Sequence, residues 1–172
     1  MNPITPTRRL FLALWPDEGV RRQLAAHASQ WAWPPGCVPY LPADWHVTLH
    51  FIGAVSVDCI ANVSTHAAVA FQPFELVLSQ PRLWPNGLAV LCAAEVPDPL
   101  QALYDRLGHM LLRLDLPVET RPYQPHLTLA RHAVDTTPPV ATAPVLWPVR
   151  SFALVVSTGG KDTRYQVIRE YR

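Results

Sequence analysis

The sequence predicts a mixed α and β protein of two similar lobes, related by a pseudo-twofold axis and facing each other across a cleft. Three observations carry this. The stretches "HVTLHFIG" from His46 and "HLTLARHA" from His126 share the phrase His-x-Thr-Leu, eighty residues apart. "FELVLS" (74–79) and "FALVVS" (152–157) share Phe-x-Leu-Val-x-Ser at an offset of 78. The order apolar strand, proline-acid helix start, helix, His-x-Thr strand also occurs twice, with 35 residues from Phe11 to His46 and 35 from Leu91 to His126. A repeat of this length in two copies indicates paired lobes rather than a solenoid. One copy would leave an apolar sheet face bare, whereas two can share a core.

Arg9–Leu14, "RLFLAL", reads as a buried strand. Pro16-Asp17-Glu18 starts a helix, and Val20, Leu24, Ala28 and Trp31 recur at helical spacing, so 17–31 is read as amphipathic helix. The proline-rich stretch 33–42 is a loop, followed by the first His-x-Thr strand and a helix over 56–71. "FELVLS" is a strand, and "LAVLCAAEV" (88–96) another. Pro97-Asp98-Pro99 opens a helix with an apolar stripe of Leu100, Leu103, Leu107, Met110, Leu111 and Leu114. Pro117–Pro125 is a loop before the second His-x-Thr strand, and the proline-rich 136–148 is read as a loop as well. "FALVVS" and "YQVIREY" (165–171) close the chain as strands. Residues 1–172 are therefore read as a single domain, its internal repeat having halves of about 9–96 and 88–172.

Composition narrows the function. With 172 residues, 49% hydrophobic and 16% charged, the chain can bury a sizeable core and is not a disordered type. A formal net charge of +1 provides no broad basic field, so a nucleic-acid partner must be met locally, in a cleft. That favours small oligonucleotides or chain ends. Cys37, Cys59 and Cys92 are odd in number and far apart, and read as buried structural thiols. No signal segment or membrane-length apolar run is found, so a cytoplasmic protein with no membrane partner is expected. A monomer is expected too, because the repeat supplies both sides of the cleft.

In a strand, alternate side chains share a face. His46 and Thr48 then lie together, as do His126 and Thr128, with Val47, Leu49, Leu127 and Leu129 turned to the core. His and Thr on an apolar strand are costly if buried without partners, but fit the wall of a wet cleft. Two such pairs facing each other put two imidazoles and two hydroxyls around one point. A phosphate suits that point: the hydroxyls bind its non-bridging oxygens, one imidazole acts as general base and the other as general acid. The ordinary His pKa of about 6.5 allows one neutral and one protonated ring near neutrality. No cofactor is called for, and no metal. The alternative of His46 and His50 as metal ligands four apart on a helix conflicts with the β-rich pattern, although on a strand His46, Thr48 and His50 would share a face. His27, His66, His109 and His132 are read as solvated or structural.

At these residues the chain resembles the two-histidine (2H) phosphoesterase superfamily, specifically the RNA 2′,3′-cyclic phosphodiesterases historically called 2′-5′ RNA ligases. The resemblance rests on "RLFLALWPDE", "DWHVTLHFIG", "RPYQPHLTLAR" and the closing Ser157 and "TRYQVIREY". It implies a bilobal α+β fold, with antiparallel sheets lining a central cleft and helices outside. It also implies hydrolysis of an RNA terminal 2′,3′-cyclic phosphate to a 2′-phosphomonoester, with reversible 2′-5′ ligation as the back reaction. By the same resemblance His46 is the proton donor, His126 the proton acceptor, and Thr48, Thr128 and Arg131 bind the phosphate. Strict alternation would point Arg131 away from His126, so a bulge or a strand end is needed there. Phe11 and Tyr123 are base-stacking candidates, and His50 is a candidate to tune the acid. The implied partners are RNA ends or oligonucleotides bearing the cyclic phosphate, and small cyclic nucleotides. Two alternatives stand beside this: a non-catalytic RNA-end or nucleotide-binding module, and a phosphodiesterase acting on another small cyclic nucleotide.

Overall fold

The computed structural model describes residues 6–160 and 164–172. Its elements are β1 (Thr7–Leu14), α1 (Glu18–Ala28), β2 (Val38–Pro39), β3 (Val47–Ser56), α2 (Val57–His66), β4 (Phe74–Trp84), β5 (Leu88–Ala93), α3 (Asp98–Arg113), β6 (His126–Arg131), β7 (Val145–Val149), β8 (Phe152–Ser157) and β9 (Tyr165–Tyr171). Among the described residues the strands form one curled antiparallel sheet in the order β7-β4-β5-β6-β3-β1-β8-β9, with β2 added to β6. The two His-x-Thr strands are neighbours at its middle and share one register pair, Val47 with Leu127. The sheet therefore divides there into two lobes.

The local reasons for the elements are those the sequence suggests. Asp17 caps α1 by accepting from the Val20 amide at 2.9 Å, and α1 buries Val20, Leu24 and His27. α3 buries Leu100, Leu103, Leu107, Met110 and Leu111 and lies behind β3. One face of the sheet packs with the helices into the main core, which includes Leu12, Leu24, Leu78, Leu91, Leu103 and Leu129. The other face of the β1 lobe carries a smaller cluster of Phe11, Ala13, Ala153 and Val155. No helix among the described residues is long and apolar enough to cross a membrane.

Several boundaries differ from expectation. α1 ends at Ala28 and α2 at His66, and β5 stops at Ala93, where Ala94 begins the turn toward α3. Trp31 leaves α1, yet stays buried and donates from its indole to His27 Nε2 at 3.2 Å. β4 runs on to Trp84 through Pro81. Pro81 is tolerated because β7 pairs only with Phe74–Leu78, so one side of β4 is free at that point. The proline-rich stretch 136–148 is not all loop: its end forms β7, the outermost strand beyond β4. Of the three thiols read as buried, Cys92 is buried, Cys37 half-buried and Cys59 exposed.

The lobes are not the sequence halves. β4 and β8, the two Phe-x-Leu-Val-x-Ser strands, each sit in the lobe whose central pair comes from the other half: β4 beside β5, and β8 beside β1.

Candidate active site

The cleft is positioned by a repeated irregularity in β3 and β6. Opposite β1, Thr48 pairs with Ala13 and His50 with Leu12, so Leu49 is an extra residue. Opposite β5, Thr128 pairs with Val90 and Ala130 with Ala89, so Leu129 is extra in the same way. The leucine after each threonine is thus the bulge residue, and it is buried in the core in both copies. A bulge resets the alternation. His46 and Thr48, like His126 and Thr128, are half-buried, while Val47, Leu49, Leu127 and Leu129 are buried. After the bulge, His50 and Ala130 face inward, and Phe51 and Arg131 return to the cleft.

His50 therefore does not share a face with His46 and Thr48. Its Nε2 contacts the Tyr104 carbonyl of α3 at 2.8 Å, and its ring stacks on Tyr104 at 4.1 Å. It fits there because α3 carries Gly108 at that point, where an added Cβ would lie 3.4 Å from the ring. Tyr123 is also turned away from the cleft. Its ring stacks on the other face of Tyr104 at 4.1 Å, and its hydroxyl donates to the Thr48 carbonyl at 3.1 Å. Phe11 lines the cleft but is only 4% exposed, its ring centroid 4.9 Å from that of His46.

Each catalytic candidate is oriented by the same device. His46 Nδ1 lies 2.7 Å from the Asp44 carbonyl, and His126 Nδ1 lies 2.8 Å from the Gln124 carbonyl. A carbonyl only accepts, so Nδ1–H donates in both and Nε2 is left for chemistry. The surroundings of the two rings differ. His46 lies parallel to Trp15 at 5.4 Å, with Phe11 and Tyr165 at its edges, whereas His126 leans on Trp84 at 4.4 Å. Burial, with a smaller repulsion from His126, lowers the His46 pKa to about 4, and burial lowers that of His126 as well.

The cleft encloses about 480 Å³ and is lined by His46, Thr48, Thr128 and Arg131, whereas His126 is not among its lining residues but is close enough for its charge to act on His46. Among the described residues its wall carries three arginines, Arg9, Arg131 and Arg164, and no carboxylate. Arg131 donates from Nε to the Tyr40 hydroxyl at 2.7 Å and from a terminal nitrogen to the same oxygen. The guanidinium of Arg164 sits 5.3 Å from the Tyr40 ring centroid and 4.0 Å from the buried Asp44 carboxylate. Burial raises the Asp44 pKa against the pull of Arg164. Tyr40, Phe51, Arg164 and Tyr165 were not singled out from sequence. Among the described residues no group of three His, Cys, Asp or Glu side chains converges as a metal site would require.

Residues 20–161 match the 2′-5′ RNA ligase superfamily. The chain is 30% identical over 170 residues to an RNA 2′,3′-cyclic phosphodiesterase of Escherichia coli K12, covering 95% of this chain and 96% of that protein. Two solved structures share its fold: a phosphoesterase (TM-score 0.83, 25% identity, 96% and 98% of the two chains) and E. coli LigT complexed with 3′-AMP (TM-score 0.80, 26% identity, 96% and 98%). The matched span contains both His-x-Thr motifs, and the chain belongs to the 2′-5′ RNA ligase superfamily of two-histidine phosphoesterases.

Proposed function

We propose that the protein is a metal-independent RNA 2′,3′-cyclic phosphodiesterase, a single domain of two similar lobes acting as a monomer. The observation that carries this is the matched pair of imidazoles, each tied at Nδ1 to a carbonyl two residues upstream and near enough to feel each other's charge, with His46 lining the cleft beside two threonines and Arg131. The names of its relatives support the same substrate class. In the hydrolysis, His126 Nε2 takes a proton from water as the water oxygen bonds to phosphorus. The bond from phosphorus to the 3′ oxygen breaks, and His46 protonates that oxygen, leaving a 2′-phosphomonoester. Thr48 and Thr128 donate to the non-bridging oxygens, and Arg131 offsets their charge. With the 5′-hydroxyl of a second RNA in place of water, the same forward steps join the ends through a 2′-5′ bond, and run backwards they cleave such a bond to the cyclic phosphate.

His46 near pH 7 is neutral in the empty cleft, because its pKa is about 4. The donor role therefore depends on the substrate. A phosphodiester anion about 4 Å away at an effective dielectric of about 20 favours the imidazolium by about 4 kcal/mol, or about 3 pKa units. That is enough to bring His46 to working pH once the phosphate is bound.

The test is incubation with 2′,3′-cyclic AMP and with an oligonucleotide ending in a cyclic phosphate, in excess chelator. The 2′-phosphate product and a bell-shaped pH profile are expected. His46→Ala and His126→Ala should each lower kcat by roughly 10²–10⁴-fold. Unchanged turnover in either variant ends the two-histidine mechanism, and binding of such ends without turnover identifies a binding module instead.

A further inference from the structure

We propose that the Tyr123 hydroxyl is a positioning group for the hydrolysis: by holding the Thr48 backbone against the segment that leads into His126, it fixes where a phosphate on Thr48 stands relative to the His126 imidazole. This role rests on the phosphodiesterase reading and adds to it a residue outside the cleft.

The need for such a group follows from the strand pairing. His46 directly precedes β3 and Thr48 lies on it, His126 and Thr128 lie on β6, and the two strands share the register pair Val47 with Leu127. Continued by one step, that register would set Thr48 opposite His126, and by two steps Leu49 opposite Pro125. Pro125 has no N–H to give to β3, and its carbonyl accepts from the Ala93 amide beside it at 3.0 Å instead. On the other side of the shared pair β6 turns to β2, through Ala130 with Pro39 and Arg131 with Val38. A backbone ladder therefore does not set the separation of the two motifs beside the reacting groups. The Tyr123 hydroxyl, donating to the Thr48 carbonyl at 3.1 Å, spans them there.

The ring makes this hydroxyl a fixed point. It is half-buried and stacks on Tyr104 of α3, with centroids 4.1 Å apart and planes inclined by 16°. Tyr104 also carries the His50 ring, at 4.1 Å and 18°, and His50 Nε2–H donates to the Tyr104 carbonyl at 2.8 Å. The pile thus begins two residues after Thr48 and ends three residues before His126. Its middle belongs to α3, which Leu103 and Leu107 seat in the core. None of the three rings lines the cleft. Burial, with Tyr104 adding to it, pushes the Tyr123 pKa up, so the phenol keeps its proton and remains a donor.

In-line displacement is demanding about distance. The attacking water must stand about 3–3.5 Å from phosphorus, and a misplacement of about 1 Å costs about 10²-fold. Thr48 can bind a phosphate wherever β3 stands, but His126 serves that phosphate only at one separation. Releasing β3 therefore spoils the approach and leaves affinity nearly intact.

Tyr123→Phe keeps the ring and its stack and removes only the oxygen. On 2′,3′-cyclic AMP its kcat should fall roughly tenfold, with KM within about twofold of the wild type. In a Thr48→Ala background the same substitution should change kcat by less than about twofold, because a residue that no longer holds the phosphate has no position to lose. Thermal melts of each protein ensure that folded enzyme is compared throughout. A Tyr123→Phe protein with wild-type kcat overturns the positioning role, and so does a loss carried by KM alone. An equal loss with and without the Thr48 hydroxyl overturns it too, since that is what a merely structural contact gives. A wild type without turnover has a different signature: it overturns the phosphodiesterase reading, and the positioning role with it.

Discussion

Leu49 and Leu129 each give their strand one residue more than its partner, and this small misfit decides which side chains reach the cleft. The histidines and threonines precede the bulge, so simple alternation located them in the sequence. Beyond it the period of two fails. That is why alternation puts His50 on the wrong face and gives no sign of Phe51, while Arg131 reaches the cleft only through an irregularity, a bulge or a strand end, of which the structure has the bulge. Arg131→Ala should lower kcat/KM by at least roughly tenfold, the loss of a charge-assisted contact. Tyr40→Phe, which removes the hydroxyl that Arg131 donates to, should have a smaller effect of the same sign. Steady-state kinetics measures both. Trp15→Leu should admit water to His46, moving its pKa upward from about 4 toward 6.5, as followed by NMR titration of the imidazole.

At the level of the elements, β7 shows why proline content misled. It is an edge strand, and the Gln23 side chain of α1 closes that edge by bonding both to the Leu146 carbonyl (3.0 Å) and from the Leu146 amide (2.9 Å). Leu146 therefore presents its backbone groups outward. Pro148, two residues on, does the same, so its missing N–H takes nothing from the ladder. Only the strand order reveals this. Gln23→Ala should destabilise the fold by about 1 kcal/mol in urea denaturation. Gly87, between β4 and β5, has φ +71, and a Cβ there would stand 2.8 Å from the Ala133 amide nitrogen. Gly87→Ala should cost about 2 kcal/mol or more, the left-handed penalty plus that clash.

Across the whole molecule, the repeated motifs were legible because each is local in the sequence. The assignment of strands to lobes was not, because pairing partners distant in sequence leave no local pattern. β3 and β6 meet at one register pair, and the Tyr123 hydroxyl on the Thr48 carbonyl is a second tie between the two histidine segments. Stability should also respond to acid. Burial lowers the pKa of His27, His46 and His50 in the folded protein. The unfolded chain then binds more protons below about pH 6.5, so stability is full above that value and declines as pH falls toward about 4. Thermal melts across this range should show Tm falling with pH, and His50→Phe should flatten the decline.

The exchange of β4 and β8 between lobes has a consequence for how such a site can evolve. Two identical half-length chains trading those strands could assemble the same cleft, but its imidazoles would be equivalent, with equal affinity for a proton. In one polypeptide the two rings need not match. Here His46 has Trp15, Phe11 and Tyr165 around it, and among the described residues the ring contact of His126 is with Trp84. The two sides of the cleft are therefore unlike, and in the proposed reaction a proton has a preferred side to leave from and a preferred side to arrive at.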